Sequence, residues 1–389
     1  MDTPVQPVLQ GIRVADFSRV LAGPYATMML ADFGADVIKI ESPAGDDTRD
    51  WLPPVDADGD STYFASVNRN KRSVVCDLKT PEGLARAREI ALGADVVIEN
   101  FRTGVMAKFG LDAATLRAEN PALVYCHITG FGDGEGAALP GYDLLVQAVG
   151  GLMSITGPSE GEPSKVGVAL VDVLTGLNAL TGILLALRER DRTGLGDVVR
   201  VDLLTSLLSG LVNQASGTLA TGVAPGRSGN AHPSITPYEL FDGADRPLVI
   251  AAGNDRQFTA LCHVLDERVG PALPALGSDE RYATNPQRVA ARDSLRVAIN
   301  ERLAFAPAQD WVTAFMAVGV PAGLVNSVKE AIEFAAELGL DPIVSLPKTT
   351  GTVTSLVRNP IRLDHSQPVY RSAPPALGAD QDTDWRPRP

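Results

Sequence analysis

The sequence has 389 residues, of which 45% are hydrophobic, and this is more chain than one hydrophobic core usually supports, so it predicts two domains. Its formal net charge of −13 disfavours nucleic acid as a partner, because phosphate binding needs a basic field. No stretch approaches the roughly 18 uninterrupted apolar residues of a membrane span and the start lacks signal-peptide features, so we expect a cytoplasmic protein without a membrane partner.

The first half of the chain alternates predicted strands and helices. Residues 11–17 predict a strand, residues 24–33 a helix that ends before Gly34, and residues 35–41 the next strand. The alternation continues with strands at 72–78, 94–100 and 123–129 and with helices at 80–93 and 112–119. Parallel strands need such crossover helices, so the pattern predicts an α/β fold with a mostly parallel sheet.

A long apolar helix is predicted from Val171 to its closing residue, Gly194, and is followed by a strand at 198–203 and a helix at 205–220. The next stretch, 221–233, is rich in Gly and Pro and predicts a linker. A strand at 247–253 and a mainly helical region then predict a smaller α+β domain. The expected organisation is a large domain at 1–205 completed by 340–389, a linker at 206–232, a small domain at 233–330, and a return segment at 331–389.

The glycine pattern argues against a nucleotide cofactor. The turn at residues 18–24 has one glycine where dinucleotide-binding proteins have G-x-G-x-x-G. The glycine-rich stretch 130–136 follows a strand but leads into no helix whose amino terminus would bind an anion. We therefore expect neither a nicotinamide nor a flavin.

Histidines and cysteines show no metal-binding spacing. No histidine lies within four residues of another, which predicts no metal site, but His232 lies in the predicted linker, where binding residues concentrate. Cys76, Cys126 and Cys262 are odd in number and widely spaced, which predicts buried core residues rather than disulfides.

Two charged features are candidates for function. The one dense basic segment, residues 68–73, is the expected place for a small anion, with Lys71 and Arg72 either reaching phosphates or forming a solvated face. Asp172 stands between apolar residues at the start of the long helix. It fits a helix N-cap, and it also fits a catalytic carboxylate; the two interpretations do not exclude each other.

Several motifs follow one another in a specific order: 9–17 with 22–24, then 34–41, 70–73, 77–83 and 99–104. The stretches 141–143, 150–153 and 374–378 extend the pattern to almost the whole chain. In this order the motifs resemble the class III CoA-transferases of the CaiB/BaiF type, a family that includes formyl-CoA transferase and alpha-methylacyl-CoA racemase.

The resemblance implies a Rossmann-like large domain, a smaller domain, and two subunits interlocked as a homodimer. It implies that Asp172 is the catalytic nucleophile, that coenzyme A is a substrate with no cofactor bound permanently, and that His232 lies in a substrate loop. The residues that it places against CoA are Arg19, Val20, Arg72, Cys76, Lys79, Asn100, Lys108, Phe109 and Tyr142.

The activity that the resemblance implies is the transfer of CoA from an acyl-CoA donor, such as succinyl-CoA, to a carboxylic acid. The expected intermediates are a mixed anhydride on Asp172 and an aspartyl-CoA thioester. Formyl-CoA transferases carry a run of glycines where this chain has residues 229–234, so formyl-CoA and oxalate are not favoured.

Two alternatives remain open. A 2-methylacyl-CoA racemase would use Asp172 as an acid/base. The racemases of this family have a Gly-His-Asp motif where this chain has Gly141, Tyr142 and Asp143. Tyrosine, with an ordinary pKa of about 10, is a poor proton shuttle, so CoA transfer is preferred over racemisation. The other alternative is a CoA-binding protein without catalytic activity.

Overall fold

A computed structural model describes residues 7–388, which divide into two compact units. The larger unit contains residues 7–152, 165–224 and 341–388, and the smaller unit contains 153–164 and 225–340. These limits differ from the predicted domains, which assigned 153–164 to the large domain and 331–340 to the return segment. Residues 153–164 join the smaller unit because Arg227 donates hydrogen bonds to the carbonyls of Pro158 and Gly161, at 2.9 and 2.8 Å.

A six-stranded sheet forms the centre of the larger unit. Its strands are β1 (Arg13–Asp16), β2 (Asp36–Glu41), β3 (Lys71–Val75), β4 (Val96–Glu99), β5 (Val124–Thr129) and β6 (Val198–Asp202). They are all parallel, in the order β3-β2-β1-β4-β5-β6. The predicted α/β class and parallel sheet are therefore confirmed, with each strand within a few residues of its predicted position.

Helices follow or precede these strands along the chain. They are α1 (Ala22–Asp32), α2 (Thr62–Ser66), α3 (Pro81–Leu92), α4 (Val105–Lys108), α5 (Ala113–Glu119), α6 (Asp143–Val149), α7 (Leu152–Ile155), α8 (Leu170–Thr193), α9 (Leu203–Gly210) and α10 (Val212–Thr221). The single helix predicted at 205–220 is thus two helices. The chain bends between them, where Val212 has a φ of +42°, outside the helical region.

Alternate residues of each strand pack into two hydrophobic clusters, one on each face of the sheet. Val14, Val37 and Val96 pack with α1 and α8, while their neighbours Ala15 and Ile38 pack with α3 on the opposite face. Helices on both faces bury the sheet, as a parallel sheet requires.

The long helix α8 is apolar enough and long enough to cross a membrane by composition alone, with a mean hydropathy of 1.9. In this fold it is a core helix, since one side packs against α1 and the sheet. The contact with α1 is close at Gly176, where an added Cβ would lie 2.6 Å from the carbonyl oxygen of Ala22. The predicted helix end is confirmed, because Gly194 takes a φ of +76° directly after Thr193.

The basic segment 68–73 is not the anion site that the sequence predicted. Arg69 is paired with Asp32 at 2.6 Å, Lys71 with Asp16 at 3.1 Å, and Arg72 with Asp36 at 2.7 Å. The Lys71 side chain is completely buried, so it neither reaches a phosphate nor forms a solvated face. These cations hold the first three strands and α1 together, because a buried charge is stable only when it is paired.

The smaller unit has an antiparallel sheet of β7 (Tyr238–Asp242), β8 (Pro247–Ala251) and β9 (Ala322–Leu324). Its helices are α11 (Asp255–Val269), α12 (Asn285–Ala290), α13 (Arg292–Leu303), α14 (Ala308–Ala317) and α15 (Val328–Glu337). They enclose a separate core around Trp311 and Phe315. The chain then returns to the larger unit through a hairpin of β10 (Ile343–Pro347) and β11 (Val353–Val357), and Trp385 packs beside α3.

Candidate active site

A cavity of about 170 Å³ lies at the carboxyl ends of the parallel strands in the larger unit. The turns after β1, β4 and β5 form its walls, and the start of α8 contributes Asp172. Binding sites in open α/β sheets form at this edge, because the loops after neighbouring strands diverge there. Four of the predicted CoA residues line it together with Asp172: Arg19, Val20, Asn100 and Tyr142.

The glycine-rich loop after β5 brings Tyr142 and Asp143 back to this edge. The Cα atoms of Gly130 and Gly141 approach so closely that a Cβ added at Gly130 would lie 2.6 Å from Gly141 Cα. The two glycines therefore allow the loop to close on itself, directly before α6. The sequence predicts no anion-binding role for residues 130–136 of this loop, and it predicts Tyr142 as a CoA contact.

Asp172 is the third residue of α8 and does not cap it. The N-cap position is occupied by Ala169, so the predicted capping role of Asp172 is wrong. The cap comes instead from Asp143 of α6, whose Oδ1 accepts the backbone N–H groups of Val171 at 2.7 Å and Asp172 at 3.3 Å. The unpaired N–H groups at a helix start need such an acceptor, and here a carboxylate from another helix supplies it.

Asp143 is held in place by Gln147, one turn later on α6. The side-chain amide of Gln147 donates to Asp143 Oδ2 at 2.6 Å, and its Oε1 accepts the N–H of Val166 at 2.9 Å. Gln147 is fully buried. The side-chain amide of Gln147 therefore fixes both the capping carboxylate of Asp143 and the segment that leads into α8. The sequence predicts neither Asp143 nor Gln147 as a site residue.

Burial, with a smaller contribution from the negative charge of Asp143, raises the pKa of Asp172 from 3.8 to about 7. The more basic a carboxylate is, the better it attacks a carbonyl, provided that it is ionised. Near neutral pH, Asp172 exists in both protonation states. A carboxyl group with a perturbed pKa in a cavity is typical of active sites.

Tyr63 of α2 is a further residue that the sequence did not suggest. Burial, with smaller contributions from the negative charges of Asp172, Asp143 and Asp46, raises its pKa to about 12. Its hydroxyl therefore stays protonated at neutral pH. The ring packs edge-on against Trp51, with ring centroids 5.1 Å apart.

Arg19 and Asn100 join the turns after β1 and β4. The Asn100 side chain accepts the Arg19 N–H at 2.9 Å and donates to the Arg19 carbonyl at 2.8 Å. The Arg19 guanidinium pairs with Asp47 at 3.1 Å and lies 5.2 Å from the ring centre of Phe101. This pairing gives the cavity wall a fixed backbone and an exposed cation.

The other residues predicted to contact CoA do not line this cavity. Cys76 is buried in the hydrophobic cluster that Phe109 joins, and burial raises the pKa of its thiol to about 11. Lys79 and Lys108 are exposed, on the loop before α3 and at the end of α4. Arg72 forms hydrogen bonds with Asp36 at the amino ends of β2 and β3, whereas Asp172 lies at the carboxyl ends of the strands. The prediction that Cys76 and the other cysteines are buried and unpaired is confirmed.

His232 belongs to the smaller unit, not to the unit that holds Asp172. Its Nδ1 accepts the N–H of Ser234 at 3.1 Å, and its ring lies 5.3 Å from the ring of Tyr238. Its carbonyl accepts a hydrogen bond from Arg292 at 2.7 Å. These contacts order the segment before β7.

Within residues 7–388, one group of carboxylates has the spacing of a metal site, namely Asp56, Asp58 and Asp60. The ammonium of Lys348 lies among them, at 2.8, 2.6 and 2.7 Å from their oxygens. A lysine thus supplies the cation, and the cluster connects this loop to the β10–β11 hairpin.

We predict that replacing Asp172 with Asn raises the free energy of unfolding at pH 8 and leaves it unchanged at pH 4. Because the folded-state pKa is raised to about 7 from 3.8, the folded chain binds more protons than the unfolded chain between these values. Stability therefore falls as the pH rises through that window, and Asn removes the fall. Urea unfolding at both pH values measures the difference.

The matched control is Asp191→Asn, an exposed position near the other end of α8. It should show no gain that depends on pH. An equal gain at both positions, or at both pH values for Asp172→Asn, would contradict the burial of a raised-pKa carboxyl group at Asp172.

Comparison with known proteins identifies the family. A sequence model described as CoA-transferase family III matches residues 9–381. The chain is 45% identical over 383 residues to the succinate–glutarate CoA-transferase of Agrobacterium fabrum, covering 97% of this chain and 94% of that protein. It is 39% identical to the succinyl-CoA:glutarate CoA-transferase of Mus musculus, covering 95% and 84% of the two chains.

Solved structures agree with this relationship. A CaiB/BaiF family protein from Brucella suis superposes with a TM-score of 0.87 at 41% identity, covering 96% of this chain and 97% of that chain. The protein Rv3272 from Mycobacterium tuberculosis superposes with a TM-score of 0.84 at 31% identity, covering 97% and 98%. The parallel sheet, the separate antiparallel sheet and these likenesses together show that the chain belongs to the class III CoA-transferases of the CaiB/BaiF type and is an enzyme that transfers CoA.

Proposed function

We propose that this CoA-transferase moves CoA from succinyl-CoA to a dicarboxylic acid such as glutarate, with Asp172 as its nucleophile. The observation that carries the substrate proposal is the identity of 45% and 39% to two relatives named for succinate or succinyl-CoA and glutarate. Asp172 is the candidate nucleophile because it lines the cavity and has a raised pKa. Arg19 and Arg102 line the same cavity and complement the negative charges of such substrates.

The first half of the reaction transfers CoA to the enzyme. An ionised oxygen of Asp172 attacks the thioester carbon of the donor, the carbon–sulfur bond breaks, and CoA leaves as a thiolate, which gives a mixed anhydride. The thiolate then attacks the carbonyl carbon of Asp172. The donor acid leaves as a carboxylate, and CoA is held as an aspartyl thioester.

The second half repeats these steps in reverse order with the acceptor. A carboxylate oxygen of the acceptor attacks the aspartyl thioester, which releases the thiolate and forms a second anhydride. The thiolate attacks the acceptor carbonyl, and Asp172 returns as a free carboxylate. No net proton is taken up or released, so the main requirements on the protein are an ionised Asp172, correct orientation and exclusion of water.

The local structure supports the orientation and the basicity of Asp172. Asp143 binds the backbone N–H of Asp172 and thereby fixes the position of its main chain. The same charge helps to raise the pKa, which makes the ionised form a stronger nucleophile.

The proposal includes an interlocked homodimer, as the family resemblance implies. Part of the α8 surface is apolar but exposed in the single chain, with Leu184 and Leu185 exposed by 40% and 66%. Exposed apolar residues continue on α9 and α10 at Leu208, Val212 and Leu219. A surface of this kind on neighbouring helices favours burial against a second copy. A cytoplasmic location is also proposed, and three unpaired cysteines fit a reducing compartment.

We predict that succinyl-CoA modifies Asp172 covalently. Incubation with succinyl-CoA, quenching with hydroxylamine and peptide mass spectrometry should find the modification at Asp172, and the loading rate should rise with pH through about 7 because only the ionised group attacks. Asp172→Ala should abolish both loading and transfer, whereas Asp191→Asn should retain both. Substantial transfer by Asp172→Ala would refute the assignment of the nucleophile.

We predict that glutarate accepts CoA from succinyl-CoA faster than acetate or oxalate does, since acetate has no second carboxylate for Arg19 or Arg102 to bind and the two carboxylates of oxalate are adjacent. Chromatography of the acyl-CoA products under equal acid concentrations measures the three rates. Faster reaction with oxalate or acetate would contradict the proposed acceptor class. Deuterium entering the 2-position of a 2-methylacyl-CoA in D2O, without transfer, would favour the racemase instead.

We predict that light scattering after gel filtration finds a dimer. Leu185→Glu should reduce the dimer fraction, because it places a charge on the exposed apolar face of α8. Val297→Glu on α13 is a control with similar exposure, 58%, and should leave the mass unchanged. A monomeric wild-type chain would contradict the proposed assembly.

A further inference from the structure

The turn that leads into the cavity contains a residue in an unusual backbone conformation. Val20 has a φ of +68°, in the left-handed region that β-branched residues rarely adopt. It lines the cavity beside Arg19. A strained residue of this kind persists only when neighbouring groups hold it, and such residues cluster at functional sites.

Two buried charges hold this turn from the side of the sheet. Both carboxylate oxygens of Asp46 accept the N–H of Val20, each at 3.3 Å. The ammonium of Lys39 donates to the carbonyl oxygen of Ser18 at 2.8 Å and pairs with Asp46 at 2.8 Å. The side chains of Lys39 and Asp46 are both completely buried, so water does not screen their interaction.

Asp46 is itself oriented by three hydrogen bonds to two neighbours. Its Oδ1 accepts the N–H of Thr48 at 3.0 Å and the hydroxyl of Thr48 at 2.8 Å, and its own N–H donates to Glu41 at 3.0 Å. The next residue, Asp47, lines the cavity and pairs with Arg19. Two consecutive aspartates thus hold the turn, Asp46 from its buried side and Asp47 from the cavity side.

We infer that Asp46, through its pair with Lys39, is a positioning residue for acyl-CoA: it keeps the Ser18–Val20 turn in the shape that receives the substrate. This inference rests on the proposed function, because it assumes that acyl-CoA lies along Arg19 and Val20. Asp46 touches no reacting atom and acts only through the backbone of the turn. Its loss should therefore weaken the binding of CoA without slowing the chemistry of bound substrate.

The test uses Asp46→Asn, which keeps the size of the side chain and removes the charge that pairs with Lys39. Calorimetry should show a dissociation constant for CoA raised by about tenfold, the effect of one lost charge-assisted hydrogen bond, and KM for the donor should rise in step. At saturating donor, kcat should change little. A second variant, Thr48→Val, removes one hydrogen bond to Asp46 and should weaken CoA binding to a smaller extent.

The matched control is Asp32→Asn, which breaks another buried ion pair, that with Arg69, outside the cavity. Loss of either pair should lower stability, so circular dichroism and thermal melting are recorded for all variants. The control should leave the dissociation constant for CoA unchanged. If Asp32→Asn raises it as much as Asp46→Asn does, or if Asp46→Asn and Thr48→Val leave it unchanged, the positioning role is overturned.

Arg19→Ala separates this failure from failure of the proposed function. If Arg19→Ala weakens CoA binding and the two Asp46-directed variants do not, only the positioning inference fails. If Arg19→Ala also leaves CoA binding unchanged, CoA does not occupy this cavity, and the proposed site fails with the inference. If Asp46→Asn does not fold, the result for Thr48→Val decides.

Discussion

The placement of two carboxylates at the start of one helix governs this site. Asp143 caps α8 through the N–H groups of Val171 and Asp172, and so the Asp172 side chain is not used for capping. The cap also brings a negative charge next to Asp172, which together with burial raises its pKa. One contact between α6 and α8 thus fixes the main chain of the candidate nucleophile and increases its basicity, and the glycines at 130 and 141 let α6 begin at the right place.

Such a site is unfavourable for stability, because two like charges are held close together in a poorly hydrated place. The surrounding fold compensates with paired charges. Asp16 with Lys71 and Asp46 with Lys39 are buried and hold the turn after β1 and the loop after β2, while Asp32 with Arg69 holds the end of α1. Buried pairs add little net stability compared with apolar residues, but removing one partner is costly, so they define one arrangement of the loops.

Much of the larger unit was predictable, because its strands are short apolar runs separated by helices, and these are local patterns. The end of α8 at Gly194 was predictable for the same reason. The predictions that failed concern contacts between residues far apart in sequence. The basic segment 68–73 was interpreted as an anion site because its partners, Asp16, Asp32 and Asp36, lie more than thirty positions away and nothing local indicates them.

The candidate site shows the same division. Asp172 could be selected through family resemblance and its apolar surroundings, but the neighbouring residues could not assign its local role, since the acceptor for its helix comes from Asp143, 29 positions earlier. Gln147 was missed because one glutamine within a helix has no sequence signal. Its function is evident only when its amide is seen to join Asp143 to Val166.

An acidic chain needs local cations to attract an anionic substrate. With a net charge of −13, the average field repels CoA, and the cations of residues 69–72 are already paired with aspartates. Exposed cations lie after the carboxyl ends of the strands, with Arg19 after β1, where it pairs with Asp47, Lys79 after β3, and Arg102 and Lys108 after β4. Exposed charges act over roughly 10 Å at ordinary ionic strength, so Arg19 and Arg102, which line the cavity, act on an anion bound there. The buried Lys39 shapes the turn after β1, and the exposed Arg19 on that turn lines the cavity.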